Sequence, residues 1–236
     1  LPKHYWYVML TYIIMQLSSI IGIPLLVLFR IPEEHIVSTW TIISFTAGLI
    51  ITLFLLKPEF RRGKRQRADA GKIVLWSILG IFIAIFAQGI AANIEWYLFD
   101  IRPGSENTQF LMDIARQTPA FLIVPILYAP ILEEIVFRKI LFGTFYKKMN
   151  FFLAALLSSL IFGIIHMEPE HLLIYASMGL VFAYLYVKTK RIIVPIMAHL
   201  GMNSLAVMTQ YFLPEEEIER ILDQMEQMQT ILFGGF

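Results

Sequence analysis

Four ionisable residues stand inside one apolar run, Pro130-Ile-Leu-Glu133-Glu134-Ile-Val-Phe-Arg138-Lys139. A charged side chain at bilayer depth costs about 2.5–3.5 kcal/mol on insertion scales, so these groups must pair with one another or face a cavity. On a helix, Glu134 and Arg138 are i, i+4 with the acid N-terminal, the favourable order for an ion pair. Glu133 projects about 100° away, with Phe137 as its i+4 neighbour. Arg138 can thus neutralise Glu134 and leave Glu133 available for chemistry. The next apolar run carries Phe162-Gly-Ile-Ile-His166, and a later one carries His199-Leu-Gly-Met-Asn203, which puts an imidazole and a carboxamide on one helix face. A carboxylate and an imidazole in a cavity can take a proton from water, and imidazole and amide N–H groups can stabilise an oxyanion. Glu133, His166 and His199 are also acceptable zinc ligands with an open fourth position. A third reading has the same groups as a structural network or proton path in a non-catalytic scaffold or transporter.

The elements that hold these residues are hydrophobic helices. Of 236 residues, 58% are hydrophobic and 16% charged, which excludes a water-soluble globule. Seven apolar segments, about 5–29, 36–56, 73–98, 118–146, 151–167, 171–187 and 192–212, each approach the length needed to cross hydrocarbon. The first reads as a span rather than a cleavable signal peptide, being too long for an h-region and lacking an Ala-x-Ala-like site. Glu133 and His166 are equidistant in sequence from the centre of the Lys147–Asn150 turn, so an antiparallel hairpin sets them at one depth, roughly 25 Å from the turn. Ala155, Ser159 and Gly163 form a small-residue stripe that permits close helix approach.

The basic residues Lys57, Arg61, Arg62, Lys64, Arg65, Arg67 and Lys72 cluster between the second and third spans, which assigns that loop and the N-terminus to the cytoplasm. Trp6, Trp40, Trp76 and Trp96 fall near span ends, where amphipathic rings prefer the headgroup layer. Segment 99–117 reads as an external loop, with a short interfacial helix over Phe110–Arg116. Glu168, Glu170 and His171 read as a solvated external turn, and Gln88, Asn93 and Glu95 as groups satisfied between helices. After Pro214, Ile218, Ile221, Leu222, Met225, Met228 and Leu232 recur at helical spacing among acids, predicting an acidic amphipathic helix over 214–236. The chain is read as one membrane domain, 1–236, with its motif-bearing core at about 118–212.

Several classes of chemistry are excluded. The chain has no cysteine, so it offers no disulfide, thiolate metal site or cysteine nucleophile. A net charge of +1 and loop-confined basic residues give no case for nucleic-acid binding. Walker, His-Glu-x-x-His, nucleophile-elbow and Gly-x-Gly-Asp motifs are absent.

Glu133-Glu134-x-x-x-Arg138, Phe162-x-x-x-His166 and His199-x-x-x-Asn203, in this order on separate hydrophobic helices, closely resemble the CAAX protease and bacteriocin-processing family of glutamic intramembrane proteases. That family includes the type II CAAX prenyl endopeptidase. The resemblance spans roughly residues 118–210. It implies an all-α, polytopic bundle of about eight helices around an intramembrane polar cavity, from which the seven spans read from hydropathy depart by one. By the same resemblance, Glu133 and His166 activate a water, His199 and Asn203 stabilise the oxyanion, and Glu134, Arg138 and Phe162 support them. No cofactor or metal is required. The implied substrate is a membrane-anchored or lipidated peptide or protein, and the implied setting is a bacterial plasma membrane, where prenylation of the cell's own proteins is not expected.

Overall fold

Prolines and small residues decide where this chain's helices run straight and where they break. The computed structural model describes residues 1–62 and 69–213, together with residues 216, 217, 220, 221, 223 and 224. The loop bases Lys64, Arg65 and Arg67 and most of the predicted tail helix lie outside the described residues. The elements are α1 (Lys3–Leu17), α2 (Ser19–Leu28), α3 (Glu33–Arg62), α4 (Ala70–Phe99), α5 (Glu106–Gln117), the irregular helix α6 (Pro119–Phe145), α7 (Phe151–Ile164), α8 (Leu172–Thr189) and α9 (Ile193–Phe212). Among the described residues there is no strand.

The molecule is apolar outside and charged inside. Ile20, Leu28, Phe54, Phe86 and Phe152 are each at least 70% exposed, while Glu134 and Arg138 are sealed at 0% and 1%. A surface of that kind is stable only against lipid. The chain is an integral membrane protein, and α3, α4, α6 and the Pro169–Thr189 segment are long and apolar enough to cross a bilayer. The first apolar segment is two helices, α1 and α2, bent by 45° at Ser18, and makes a fifth candidate if the bent pair is one span. Four to five candidates therefore stand where seven segments were read from hydropathy. Of the other two, α7 has 14 residues, a rise of about 21 Å. The other, α9, has 20 residues, but His199, Asn203 and Gln210 dilute its hydropathy.

At the centre lies α6, touched by α1, α3, α5, α7, α8 and α9, while α4 packs outside on α8 and α9. It is not a regular α-helix. A 3₁₀ turn at Pro119–Leu122 leads into widened π turns at Val124–Tyr128, an α turn at Ala129–Glu133 and further π turns at Glu134–Phe142. Pro125 and Pro130 have no N–H to offer the α ladder, and the Ala129 N–H reaches back five residues to the Val124 carbonyl. Around this core, side chains cap the helix starts. Asn150 Oδ1 accepts the Leu153 N–H at 2.9 Å at the head of α7, and Ser105 Oγ accepts the Thr108 N–H at 3.0 Å at the head of α5. The interfacial helix expected over Phe110–Arg116 is thus longer by one N-terminal turn.

The small-residue stripe of α7 meets α8. Ser159 lies against Gly179, where an added Cβ would stand 2.9 Å from the Ser159 Cα, and Ala154 and Ala155 share a cluster with Ala183. Because the obstruction is backbone, Gly179→Ala must push the helices apart. It is expected to destabilise the protein by about 1–3 kcal/mol, read as a lowered unfolding midpoint in detergent, whereas Gly89→Ala, which meets nothing within 4 Å, leaves the midpoint unchanged.

Candidate active site

The site gathers Glu133 from the α turn of α6, His166 from just beyond α7, and His199 and Asn203 from α9, with Glu134 and Arg138 in the π turns that follow Glu133. Glu134 Oε2 stands 3.3 Å from Arg138 Nε, the i, i+4 pair expected from the sequence, with both groups buried. Arg138 gains its remaining environment from rings. Its guanidinium carbon lies 4.3 Å from the centroid of Phe162 and 5.2 Å from that of Phe182. Nη1 and Nη2 make no hydrogen bond, so the aromatic faces supply the cation's stabilisation. Glu134 also receives His199 Nδ1 at 2.9 Å. A carboxylate held beside Arg138 only accepts, so Nδ1 carries the proton of that bond and the ring turns Nε2 toward the cavity. Nε2 then faces Glu133 Oε2 at 3.8 Å, an electrostatic distance rather than a hydrogen bond.

His166 is oriented by main chain. Its Nδ1 lies 2.8 Å from the Phe162 carbonyl, an acceptor only, so Nδ1–H donates there and Nε2 is left with the lone pair in the neutral ring. Phe162 packs edge-on against both imidazoles, with centroids 4.6 Å from His166 and 6.2 Å from His199, while Phe182 stacks on His199 at 4.8 Å. Asn203 reaches α6 through a gap in its backbone ladder. In π register the Pro125 carbonyl would accept from residue 130, but Pro130 has no N–H. Asn203 Nδ2–H donates to that carbonyl at 3.0 Å instead.

Glu133, His166, His199, Asn203 and Phe162 all line one cavity of about 440 Å³, whereas Glu134 and Arg138 lie behind its wall. Glu133 keeps 12% side-chain exposure, so of the adjacent carboxylates it is the one that meets the space. The cavity also takes residues that motif spacing did not reveal. Tyr12 and Gln16 come from α1, and Gln16 Nε2–H donates to the Tyr12 hydroxyl at 3.2 Å. A polar i, i+4 pair in an apolar run was a readable signal for them. Asn107, Thr108, Leu111 and Met112 come from α5, which roofs the cavity, and Tyr175 comes from α8. Among the described residues, no three His, Asp or Glu side chains stand in an arrangement that holds a metal ion.

The turn after His166 differs from its sequence reading. Glu168 and His171 are each only 6% exposed, so they are buried rather than solvated. Met167 takes φ +59°, which folds the chain back and turns Glu168 inward. His171 Nδ1–H donates to Glu95 at 3.0 Å, and Glu95 also accepts the N–H groups of Leu173 and Ile174, the expected interhelical satisfaction of that acid.

Comparison with known proteins follows the same residues. Residues 115–205, which contain all of the motifs, match the family described as type II CAAX prenyl endopeptidase, Rce1-like. The chain is 46% identical over 243 residues to a Bacillus subtilis (strain 168) protein named membrane peptidase YdiL, covering 99% of this chain and 98% of that relative. It is 30% identical over 227 residues to the membrane-embedded CAAX protease MroQ of Staphylococcus aureus (strain USA300), covering 89% and 91%. The chain belongs to the Rce1-like CAAX protease family. No solved structure matches it. Family and relatives together make this chain a CAAX-type membrane protease acting on a peptide or protein substrate in a membrane.

One titration in this Rce1-like protease lies outside its spans. Burial alone would raise the Glu168 carboxyl, but the Asn107 N–H and the hydroxyls of Tyr175 and Ser105 donate to it and hold it below its ordinary value. A depressed folded-state value contributes stability at neutral pH that is lost as pH falls through it. The gap in unfolding midpoint between wild type and Glu168→Gln is therefore expected to be widest at pH 7 and to close below about pH 4. A gap that stays constant across that range contradicts the assignment.

Proposed function

We propose that this protease is a glutamic intramembrane endopeptidase, in which Glu133 and His166 together activate one water. The observation that carries this reading is the pair of acceptors facing one cavity, the Glu133 carboxylate and the His166 Nε2 lone pair, the latter set by the bond from Nδ1–H to the Phe162 carbonyl. A water has two O–H bonds. It can donate one to each acceptor and present its own lone pair to a peptide carbonyl. As its oxygen bonds to the carbonyl carbon, one proton passes to Glu133 and the carbonyl oxygen becomes an oxyanion. When that intermediate collapses, the C–N bond breaks and Glu133 returns the proton to the leaving nitrogen, giving a carboxyl and an amine product.

Oxyanion stabilisation is assigned to Asn203 and His199. One N–H of Asn203 is held by the Pro125 carbonyl, which fixes the amide and leaves its second N–H for substrate. His199 donates through Nε2 when that nitrogen is protonated, with Nδ1–H anchored on Glu134. Glu134 and Arg138 act through His199 rather than on substrate, and Phe162 spaces the two imidazoles. The substrate is a membrane-anchored or lipidated peptide, because the cavity is enclosed by helices whose outer faces meet lipid. In this reading the N-terminus and the basic C-terminal end of α3 from Lys57 lie on the cytoplasmic side of a bacterial plasma membrane.

The test is product mapping. Purified wild type and Glu133→Ala in liposomes are incubated with a pool of lipid-anchored and transmembrane peptides, and products are read by mass spectrometry. Cleavage by wild type alone, unaffected by chelator, is expected. Products from both enzymes remove Glu133 from the mechanism, chelator sensitivity favours the zinc version, and transport or partner effects without products favour a scaffold or transporter.

A further inference from the structure

His166 has a second restraint beyond the Phe162 carbonyl. The Tyr175 ring, on α8, stacks on the imidazole with centroids 4.0 Å apart and planes 24° from parallel, and the Phe162 ring packs edge-on to the same imidazole at 4.6 Å. A hydrogen bond at Nδ1 fixes one edge of the imidazole, but rotation about the bond joining ring and Cβ is limited only by what packs on the two faces. Tyr175 is itself tied, because its hydroxyl donates to Glu168 Oε2. The other donors to Glu168 come from the head of the roof helix: Ser105 Oγ lies 2.9 Å from both carboxylate oxygens and the Asn107 N–H 2.8 Å from Oε1. One buried carboxylate, two residues beyond His166, therefore joins the ring that stacks on the imidazole to the helix that roofs the cavity.

We propose that Tyr175 is a positioning residue for His166, and that Glu168 makes this positioning depend on α5 being docked over the cavity. His166 is then aligned while α5 is docked against the cavity, and a displaced α5 loosens Tyr175 and with it the imidazole. This inference rests on the reading of His166 as the group that orients water, but the geometry it concerns can be measured without substrate.

Two readouts on the full chain in lipid nanodiscs separate the two ideas. The first is the ¹⁵N spectrum of histidine-labelled protein, with His166 assigned by its loss in His166→Ala. Tyr175→Phe keeps a ring on the imidazole but cuts its tie to Glu168 and is expected to broaden the His166 ring signals, less than Tyr175→Leu, which is expected to show averaging or multiple environments. The second is hydrolysis of a peptide containing the site mapped in liposomes. Tyr175→Leu is expected to lose at least about tenfold in kcat with KM nearly unchanged, and Tyr175→Phe, which keeps the ring but cuts its tie to Glu168, to lose about threefold to tenfold. Ser105→Ala, which weakens the grip of Glu168 on α5 outside the cavity, is expected to lower kcat at least about twofold but by no more than Tyr175→Phe does, and serves as the test if Tyr175→Leu does not fold. Wild-type spectra and kcat in Tyr175→Leu, or in Ser105→Ala in its place, overturn the proposal. Altered spectra with full cleavage by His166→Ala would instead overturn the role of His166 and leave the positioning intact.

Discussion

A buried guanidinium in a membrane protein is the constraint on which the rest of this structure depends. Arg138 is out of reach of water and lipid headgroups, so its charge must be answered locally by one carboxylate and by aromatic faces. Glu134 supplies the carboxylate, and Phe162 and Phe182 supply the rings. Each of these partners has a second duty in the site. Glu134 anchors His199, Phe162 touches both imidazoles and lends its carbonyl to His166, and Phe182 stacks on His199. Neutralising one cation thus orients both histidines.

The backbone of α6 performs the complementary task. Prolines at 125 and 130 interrupt the α ladder, and the widened turns that result leave the Pro125 carbonyl for Asn203. In a bilayer an unpaired carbonyl is costly, so the carboxamide is drawn to it. The irregular helix is surrounded by six others, which lets its deviations be satisfied by protein rather than exposed to lipid. Its neighbours also enclose the space that its inward side chains share.

Much of this was legible in residue spacing. The Glu134–Arg138 pair follows from i, i+4 geometry, and the close α7–α8 contact follows from the stripe through Ser159. The π turns were not legible, because prolines announce a lost hydrogen bond but not the register that replaces it. Hydropathy reads seven spans where four to five helices, the bent pair counted as one, have the length and hydropathy of an independent crossing, for a related reason. The segments around His166 and His199 are apolar enough to enter the protein, yet the polar groups that serve the site, or a short helix, leave them below the length or hydropathy of an independent crossing. Glu168 and His171 misled because local sequence shows charges in a turn. Their burial depends on partners at Glu95, Ser105 and Asn107, more than 60 residues away.

The central claim is a division of labour between adjacent carboxylates, with Glu134 holding structure and Glu133 doing chemistry. It is tested most directly by measuring unfolding midpoint and cleavage in parallel for Glu133→Gln and Glu134→Gln. The account predicts that Glu133→Gln folds like wild type and loses at least about a hundredfold in kcat. It predicts that Glu134→Gln, which strands Arg138, loses about 3–5 kcal/mol of stability. A Glu133→Gln enzyme that cleaves at the wild-type rate, or a Glu134→Gln protein as stable as wild type, would contradict it.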